Sequence, residues 1–351
     1  MYVDKDFTHG GNIYKASEEL NIPKSEIIDF SANINPLGPS KKGVRGVKKS
    51  LKTIVNYPDP NYVQLKKSLS KYYLTEPDNI LLGNGAIELI YKYTTLKKGG
   101  RALIPAPGFV EYEKALLSNG WDVSYYSNKN DIVLDAVDVV FICNPNNPTG
   151  SSYSTEFLIS LLERSKNRGI DLFIDEAFIE FSSYKSLTDQ IINFDNLYIL
   201  KSLTKFFAIP GLRLGCLLTT NIGFINAFYN KLVPWSINSL AQEYIIPALR
   251  DKVYIKKSKK YIKRERVYLY RELSKFKFLC VYASQGNYIF FKVLDNRDIM
   301  LKLKESGILI RSCSNYNNLD STYYRVAVKK RVLNKKLLKI LSSSSPSLDT
   351  L

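Results

Sequence analysis

Histidine occurs once in this chain of 351 residues, as His9 in the segment FTHGG. A single histidine argues against a histidine-based metal centre, and it leaves little imidazole for proton transfer near neutral pH. Cysteine is also sparse. Cys143, Cys216, Cys280 and Cys313 are widely separated and form no C-x-x-C pair. That spacing argues against a disulfide framework and against a structural zinc site. No stretch approaches the roughly 18 consecutive apolar residues of a membrane span, and the start MYVDKDFTHGG lacks the basic-then-apolar pattern of a secretory signal. A cytoplasmic protein without a membrane partner is expected, with chemistry that needs an organic cofactor or none. His9 itself is open to three readings: a base, a group that binds an anion, or an ordinary residue near a chain end.

What the chain does contain is an apolar fraction of 45%, spread along its length, enough for a sizeable core and about two domains. It also carries 50 Lys and Arg against 33 Asp and Glu, a net charge of +17. A basic balance suits nucleic acid, an acidic surface or small anionic ligands. The density peaks over residues 252–271, where Tyr254, Tyr261 and Tyr268 recur every seven residues. That spacing predicts a long helix packing its tyrosines inward and holding its lysines in water. The alternative is a basic helix on RNA or DNA, which composition alone does not carry, so no nucleic-acid partner is expected.

From residue 55 to 220, apolar runs alternate with helical patterns. RALIPAP, DVVFICN, IDLFIDEAF, LYILKS and RLGCLLTT read as strands, and STEFLISLLERSKNRG reads as a helix closed by Gly169. This alternation predicts an α/β fold whose large domain has a mostly parallel central sheet flanked by helices. Sites in such sheets form at the carboxyl ends of the strands. After residue 280 the pattern changes: VYASQGNYIFFKV, ILIRSCSN and YYRVAVK read as strands and RDIMLKLKES as a helix, which suits a smaller α+β domain. The expected division is a segment 1–45 packing with the small domain, a large domain 46–240, a small domain 241–345, and a frayed tail 346–351.

Four segments carry chemistry when taken together. LLGNGAIELI opens a helix with glycine, which presents backbone N–H groups to a phosphate. DVVFICN runs into NPNNPTG, IDLFIDEAF ends on Asp175 and Glu176, and LYILKSLTKFFAIPGLRLG places Lys205 after a strand and Arg213 eight residues later. Singly, each has an ordinary explanation as a turn, a helix cap or one lysine among many. In this order they resemble the fold-type I pyridoxal-phosphate (PLP) transferases of the aminotransferase-like branch. The resemblance implies that Lys205 holds the cofactor as an imine and that Asp175 pairs with its ring nitrogen. Asn147 would then bond the ring hydroxyl, and Phe109 would stack on the ring. Gly85, Ala86, Ser202 and Arg213 would bind the cofactor phosphate. Tyr57 in NYPDP would reach the partner subunit's phosphate, which implies a homodimer. One departure is Phe178, where many members of this branch have a tyrosine.

The ends of the chain narrow the reaction. HGGNIYKASEELNIPKSEIIDFSANINPLGP and GILIRSCSNYNNLDSTYYRVAVKKR are similar to the threonine-phosphate decarboxylases of cobalamin biosynthesis. Their relatives, the histidinol-phosphate aminotransferases, usually lack the H-G-G-N and C-S-N segments. By this resemblance Arg325 would grip the substrate carboxylate, Arg311 would help hold its anionic end, and His9 and Asn33 would contact its phosphate. Ser312 stands where many relatives carry an acidic residue. The expected activity is a PLP-dependent carbon–carbon lyase acting on L-threonine phosphate or L-serine phosphate, with an aminotransferase of the histidinol-phosphate type as the alternative.

Overall fold

Runs such as VVFIC and LYILKS have no polar face, so they are stable only in the middle of a sheet covered on both sides. In a computed structural model, which describes residues 9–343, they lie inside a seven-stranded sheet. Its order is Ile80–Gly83, Gly215–Leu218, Leu197–Ser202, Asp171–Asp175, Val139–Cys143, Gly100–Pro105, Trp121–Tyr126. Neighbours pair in parallel except Gly215–Leu218, which runs antiparallel to both of its partners. The two-residue period of the strands divides the core. Val140, Ile142 and Ile199 pack beneath the helices Val63–Tyr73, Thr155–Lys166 and Ser239–Leu249, while Phe141, Phe173 and Tyr198 pack against Ala86–Leu96 and Val110–Leu117. The expected helix forms over Thr155–Lys166, with the Ser154 hydroxyl accepting from the Phe157 N–H at 3.3 Å.

The five expected strands are present, but two others escaped the pattern. Ile80–Gly83 has only four residues, and Trp121–Tyr126 lies at the sheet edge, where polar residues interrupt the apolar run. In the smaller unit, VYASQGNYIFFKV is not one strand. The turn-forming residues between Tyr282 and Tyr288 break it into an antiparallel hairpin, Leu279–Tyr282 with Tyr288–Val293. ILIRSCSN also splits. Ile308–Leu309 pairs in parallel with Ile28–Asp29, whereas Arg311–Ser312 joins the four-stranded antiparallel sheet beside Tyr323–Ala327. Phe30 completes the small core from the N-terminal side. The proposed tail 346–351 lies outside the described residues.

The basic segment forms the helix Lys252–Leu273. Its inward stripe is Ser258, Ile262, Glu265, Leu269 and Leu273, and the tyrosines flank it, half-buried. The Tyr254 hydroxyl donates to the Gly38 carbonyl at 2.9 Å, and Tyr268 lies under the Arg331 guanidinium at 3.6 Å. Tyr261 accepts from the Arg331 N–H at 3.3 Å. The tyrosines thus seal the rim of the contact instead of filling its centre. Among the described residues no helix is long and apolar enough to cross a membrane.

Candidate active site

The carboxyl ends of the central strands open into a cavity of about 260 Å³ between the large sheet and the small unit. Eleven of the expected site residues line it, drawn from positions 9 to 325: His9, Asn33, Ala86, Phe109, Asn147, Asp175, Ser202, Lys205, Arg213, Arg311 and Arg325, and Phe178 lines it as well. Gly85 lies just behind its wall, against Arg213. Tyr57 is not brought to it. Its ring is exposed and packs 4.7 Å from Trp235 in a separate surface groove.

One end of the cavity is built for an anion. Gly85 caps the helix Ala86–Leu96 at φ 91°, and no side chain caps that helix start. A Cβ on Gly85 would lie 2.3 Å from Arg213 Nη2, and one on Gly215 would lie 2.6 Å from the Ala86 nitrogen. Only glycine lets the arginine and the free N–H groups converge there. The hydroxyls of Ser202 and Thr204, 2.9 Å apart, complete this wall.

Asp175 ends its strand buried, with Oδ1 accepting from the Ala177 N–H at 2.8 Å and Oδ2 from the Tyr112 hydroxyl at 2.5 Å. Burial pushes its carboxyl up, and those hydrogen bonds oppose the shift without cancelling it. A cation at the cavity floor would relieve that cost. Lys205, on the short helix Leu203–Phe206, is pulled down to about 8 by burial, with Arg325 and Arg213 adding repulsion. Its amine has no hydrogen bond or ion pair among the described residues. Lys201 differs: it is fully buried and paired with Glu176, which holds it above the ordinary lysine value despite desolvation. Of the two lysines at the end of this strand, Lys205 is therefore the available nucleophile.

The opposite wall comes from the small unit. Arg311 and Arg325 face each other as register partners on adjacent antiparallel strands, both buried. Arg325 donates to the Ser31 carbonyl at 2.9 Å and to Asn147 Oδ1, and its charge lies 5.4 Å from the Tyr288 ring. Arg311 donates to Asn315 Oδ1 at 2.7 Å and stands 5.2 Å from the Tyr316 ring. Neither forms an ion pair with a carboxylate among the described residues. In the amide orientation that satisfies its neighbours, Asn33 accepts from Arg325 Nε at 3.3 Å, so it steadies this guanidinium as well as lining the cavity. Asn147 Oδ1 also accepts from the Tyr316 hydroxyl at 3.3 Å. Phe109 sits edge-on to Tyr112, with centroids 5.6 Å apart.

His9 Nε2 lies 2.7 Å from Glu111 Oε1, and Tyr91 donates to the other carboxylate oxygen at 3.1 Å. The His9 contact holds the buried Glu111 carboxyl below its ordinary value. Glu111, Tyr112, Thr204 and Tyr316 were missed in the sequence. Glu111 and Tyr112 belong to an amphipathic helix, Val110–Leu117, where an acidic first turn and a buried tyrosine are ordinary. Tyr316 alone left a signal, as the aromatic directly after C-S-N.

Residues 25–341 match the family described as aminotransferase class I and II. The chain is 36% identical over 346 residues to the threonine-phosphate decarboxylase of Salmonella typhimurium, covering 95% of both chains. Among solved structures, it is similar to the histidinol-phosphate aminotransferase from Clostridium acetobutylicum, with TM-score 0.85, 34% identity, and coverage of 90% of this chain and 98% of that one. It is also similar to the L-threonine-O-3-phosphate decarboxylase from Porphyromonas gingivalis, with TM-score 0.84, 25% identity, and coverage of 90% and 99%.

Proposed function

The chain belongs to the aminotransferase class I and II family, and on that premise we propose that it is a PLP-dependent decarboxylase of a phosphorylated amino acid, serving the linker of the cobalamin nucleotide loop. The observation that carries this reading is the pair of buried arginines, Arg311 and Arg325, held opposite each other with no carboxylate partner among the described residues. Two desolvated like charges are costly, and a ligand with two anionic groups would compensate both. L-Threonine phosphate and L-serine phosphate each carry a carboxylate and a phosphate.

The donor set fits the cofactor. The helix start at Gly85–Ala86, Ser202 and Arg213 would hold its phosphate, and Lys205 would attach to it. Asp175 would pair with the ring nitrogen, Asn147 with the ring hydroxyl, and Phe109 would cover the ring. Bound PLP supplies a ring that accepts the electron pair released when a bond to Cα breaks. Arg325 would fix the substrate carboxylate, while Arg311, His9 and Asn33 would fix the phosphate end. Between them they orient the substrate about Cα and choose the bond that breaks. Lys205, with a pKa near 8, can hold or release a proton close to neutral pH and so return one to Cα. The products would be carbon dioxide with 1-aminopropan-2-yl phosphate or ethanolamine phosphate. The exposed Tyr57 and Trp235 support a homodimer in which Tyr57 serves the partner's cofactor phosphate.

A second reading, a histidinol-phosphate-type aminotransferase, is favoured by the 34% identity to the Clostridium acetobutylicum structure. A product assay separates the two. Carbon dioxide from L-threonine phosphate or L-serine phosphate without 2-oxoglutarate supports the decarboxylase. Glutamate formed from histidinol phosphate and 2-oxoglutarate, with no carbon dioxide from either phospho-amino acid, overturns it.

A further inference from the structure

Behind the cavity, on the other face of the central sheet, lies a charged network that the chemistry above does not use. Lys201 and Glu176 are both fully buried and form an ion pair. The Ser186 hydroxyl donates to Glu176 Oε2 at 2.5 Å and accepts from Lys201 Nζ at 2.8 Å, and the Leu187 N–H donates to Glu176 Oε1 at 3.1 Å. The face of the Tyr73 ring covers Lys201 Nζ at 5.0 Å. Every strong donor and acceptor of the pair is therefore engaged, although an apolar pair of equal volume would commonly fold as well.

The place of the network in the chain gives it a second role. Glu176 directly follows Asp175, and Lys201 directly precedes Ser202 and stands four residues before Lys205. Their strands are parallel neighbours, with Asp175 opposite Leu200, and the Glu176 N–H donates to the Leu200 carbonyl at 2.9 Å. Because side chains alternate along the chain here, Asp175 and Ser202 point into the cavity while their neighbours, Glu176 after the one and Lys201 before the other, point to the reverse face. The ion pair thus ties together, from behind, the two strand ends that carry the cavity's carboxylate and amine. The loop bearing Ser186 also reaches the small unit, where the Ser183 hydroxyl donates to Gln285 Oε1 at 3.0 Å.

We propose that Lys201 and Glu176 are positioning residues: their ion pair, closed by Ser186, sets the relation of Asp175 to Lys205 and so tunes the site for its cofactor. This rests on the reading of Asp175 and Lys205 given above. The variants are Glu176→Gln, which keeps volume but removes the charge and turns one acceptor oxygen into a donor, and the apolar double variant Glu176→Leu/Lys201→Met. Each is compared with wild type, and with Lys205→Ala, by four measurements: thermal unfolding of the apoprotein, cofactor dissociation constant, pH titration of the visible absorbance of the holoenzyme, and steady-state kinetics with L-threonine phosphate.

The double variant removes both charges of the pair, while Glu176→Gln leaves the buried Lys201 facing only Glu180 among the described carboxylates. The double variant is therefore expected to lose less unfolding temperature than Glu176→Gln. Its absorbance titration should nevertheless shift by about half a pH unit or more. Its cofactor affinity should fall about tenfold and its kcat about tenfold to a hundredfold, with KM little changed, as misplacement of reacting groups predicts. Glu176→Gln should move the same readouts in the same direction. Wild-type titration, cofactor affinity and kcat in both variants would overturn the proposal and leave the pair a purely structural one. If the absorbance band of the lysine imine survived in Lys205→Ala, the underlying assignment of Lys205 would fall instead, and this proposal with it.

Discussion

Arg311→Gln tests the reading of the two facing arginines, because affinity and stability should respond in opposite ways to it. Arg311 is 6% exposed, donates to Asn315, and stands across from Arg325 with no carboxylate among the described residues to balance either charge. Removing its charge relieves a cross-strand repulsion of about 0.2–1 kcal/mol. Against this, exchanging the charged donor to Asn315 for the neutral glutamine amide costs about 0.5–1.5 kcal/mol. The two nearly cancel, so the apoprotein's unfolding temperature should move by no more than about 2–4 °C. For a bound dianionic substrate nothing offsets the loss. One hydrogen bond to a charged group is worth about 1.5–3 kcal/mol, so at 1.36 kcal/mol per decade the apparent KM for L-threonine phosphate should rise about 10- to 150-fold. Cofactor absorbance should be unchanged. The assays are steady-state kinetics and thermal unfolding on one preparation. A large fall in unfolding temperature with an unaltered KM would refute the argument, making Arg311 a structural residue.

His9→Ala should raise KM for the phosphorylated substrate while leaving bound cofactor, read by visible absorbance, intact; loss of the cofactor would contradict its place at the substrate end. Asp175→Asn should lower kcat about a hundredfold or more, as removal of one preorganised electrostatic group does elsewhere. Stopped turnover, with retained cofactor absorbance, is the readout. Lys205 has a folded pKa of about 8 against an ordinary 10.5. Below pH 8 the folded protein therefore carries a buried cation at a cost, and between 8 and 10.5 it binds fewer protons than the unfolded chain, so stability rises with pH. Lys205→Met apoprotein should accordingly be more stable than wild type at pH 7, by urea unfolding, and that advantage should shrink toward pH 10. An advantage independent of pH would mean that burial does not depress this lysine.

Much of the site was legible in the chain because its groups hang on short, stereotyped segments at strand ends. NPNNPTG, the Asp175 turn, the Ser202–Lys205 step and the glycine before Ala86 each sit where an apolar run stops. Local pattern was enough to place them along one rim. Pairings across long sequence separations left no such trace. Nothing local says that Tyr112 bonds Asp175, that His9 meets Glu111, or that Lys201 is matched by Glu176 while Lys205 is left free. The strand break in VYASQGNYIFFKV did leave a local signal, the polar SQGN stretch between two apolar runs, which reading the segment as one strand passed over.

The amino-acid order alone therefore determined the alternating α/β architecture and the inventory of reactive groups, because both follow from period, turn chemistry and spacing within a few residues. Only the tertiary structure decided which of those groups are charged and which are available. Among the described residues, burial and neighbours make Lys201 a locked cation and Lys205 a depressed, unpaired amine, and they set Arg311 against Arg325 with no carboxylate between them. Desolvation and Coulomb energy depend on three-dimensional distance, and residues on different strands and in different units of the fold supply those distances.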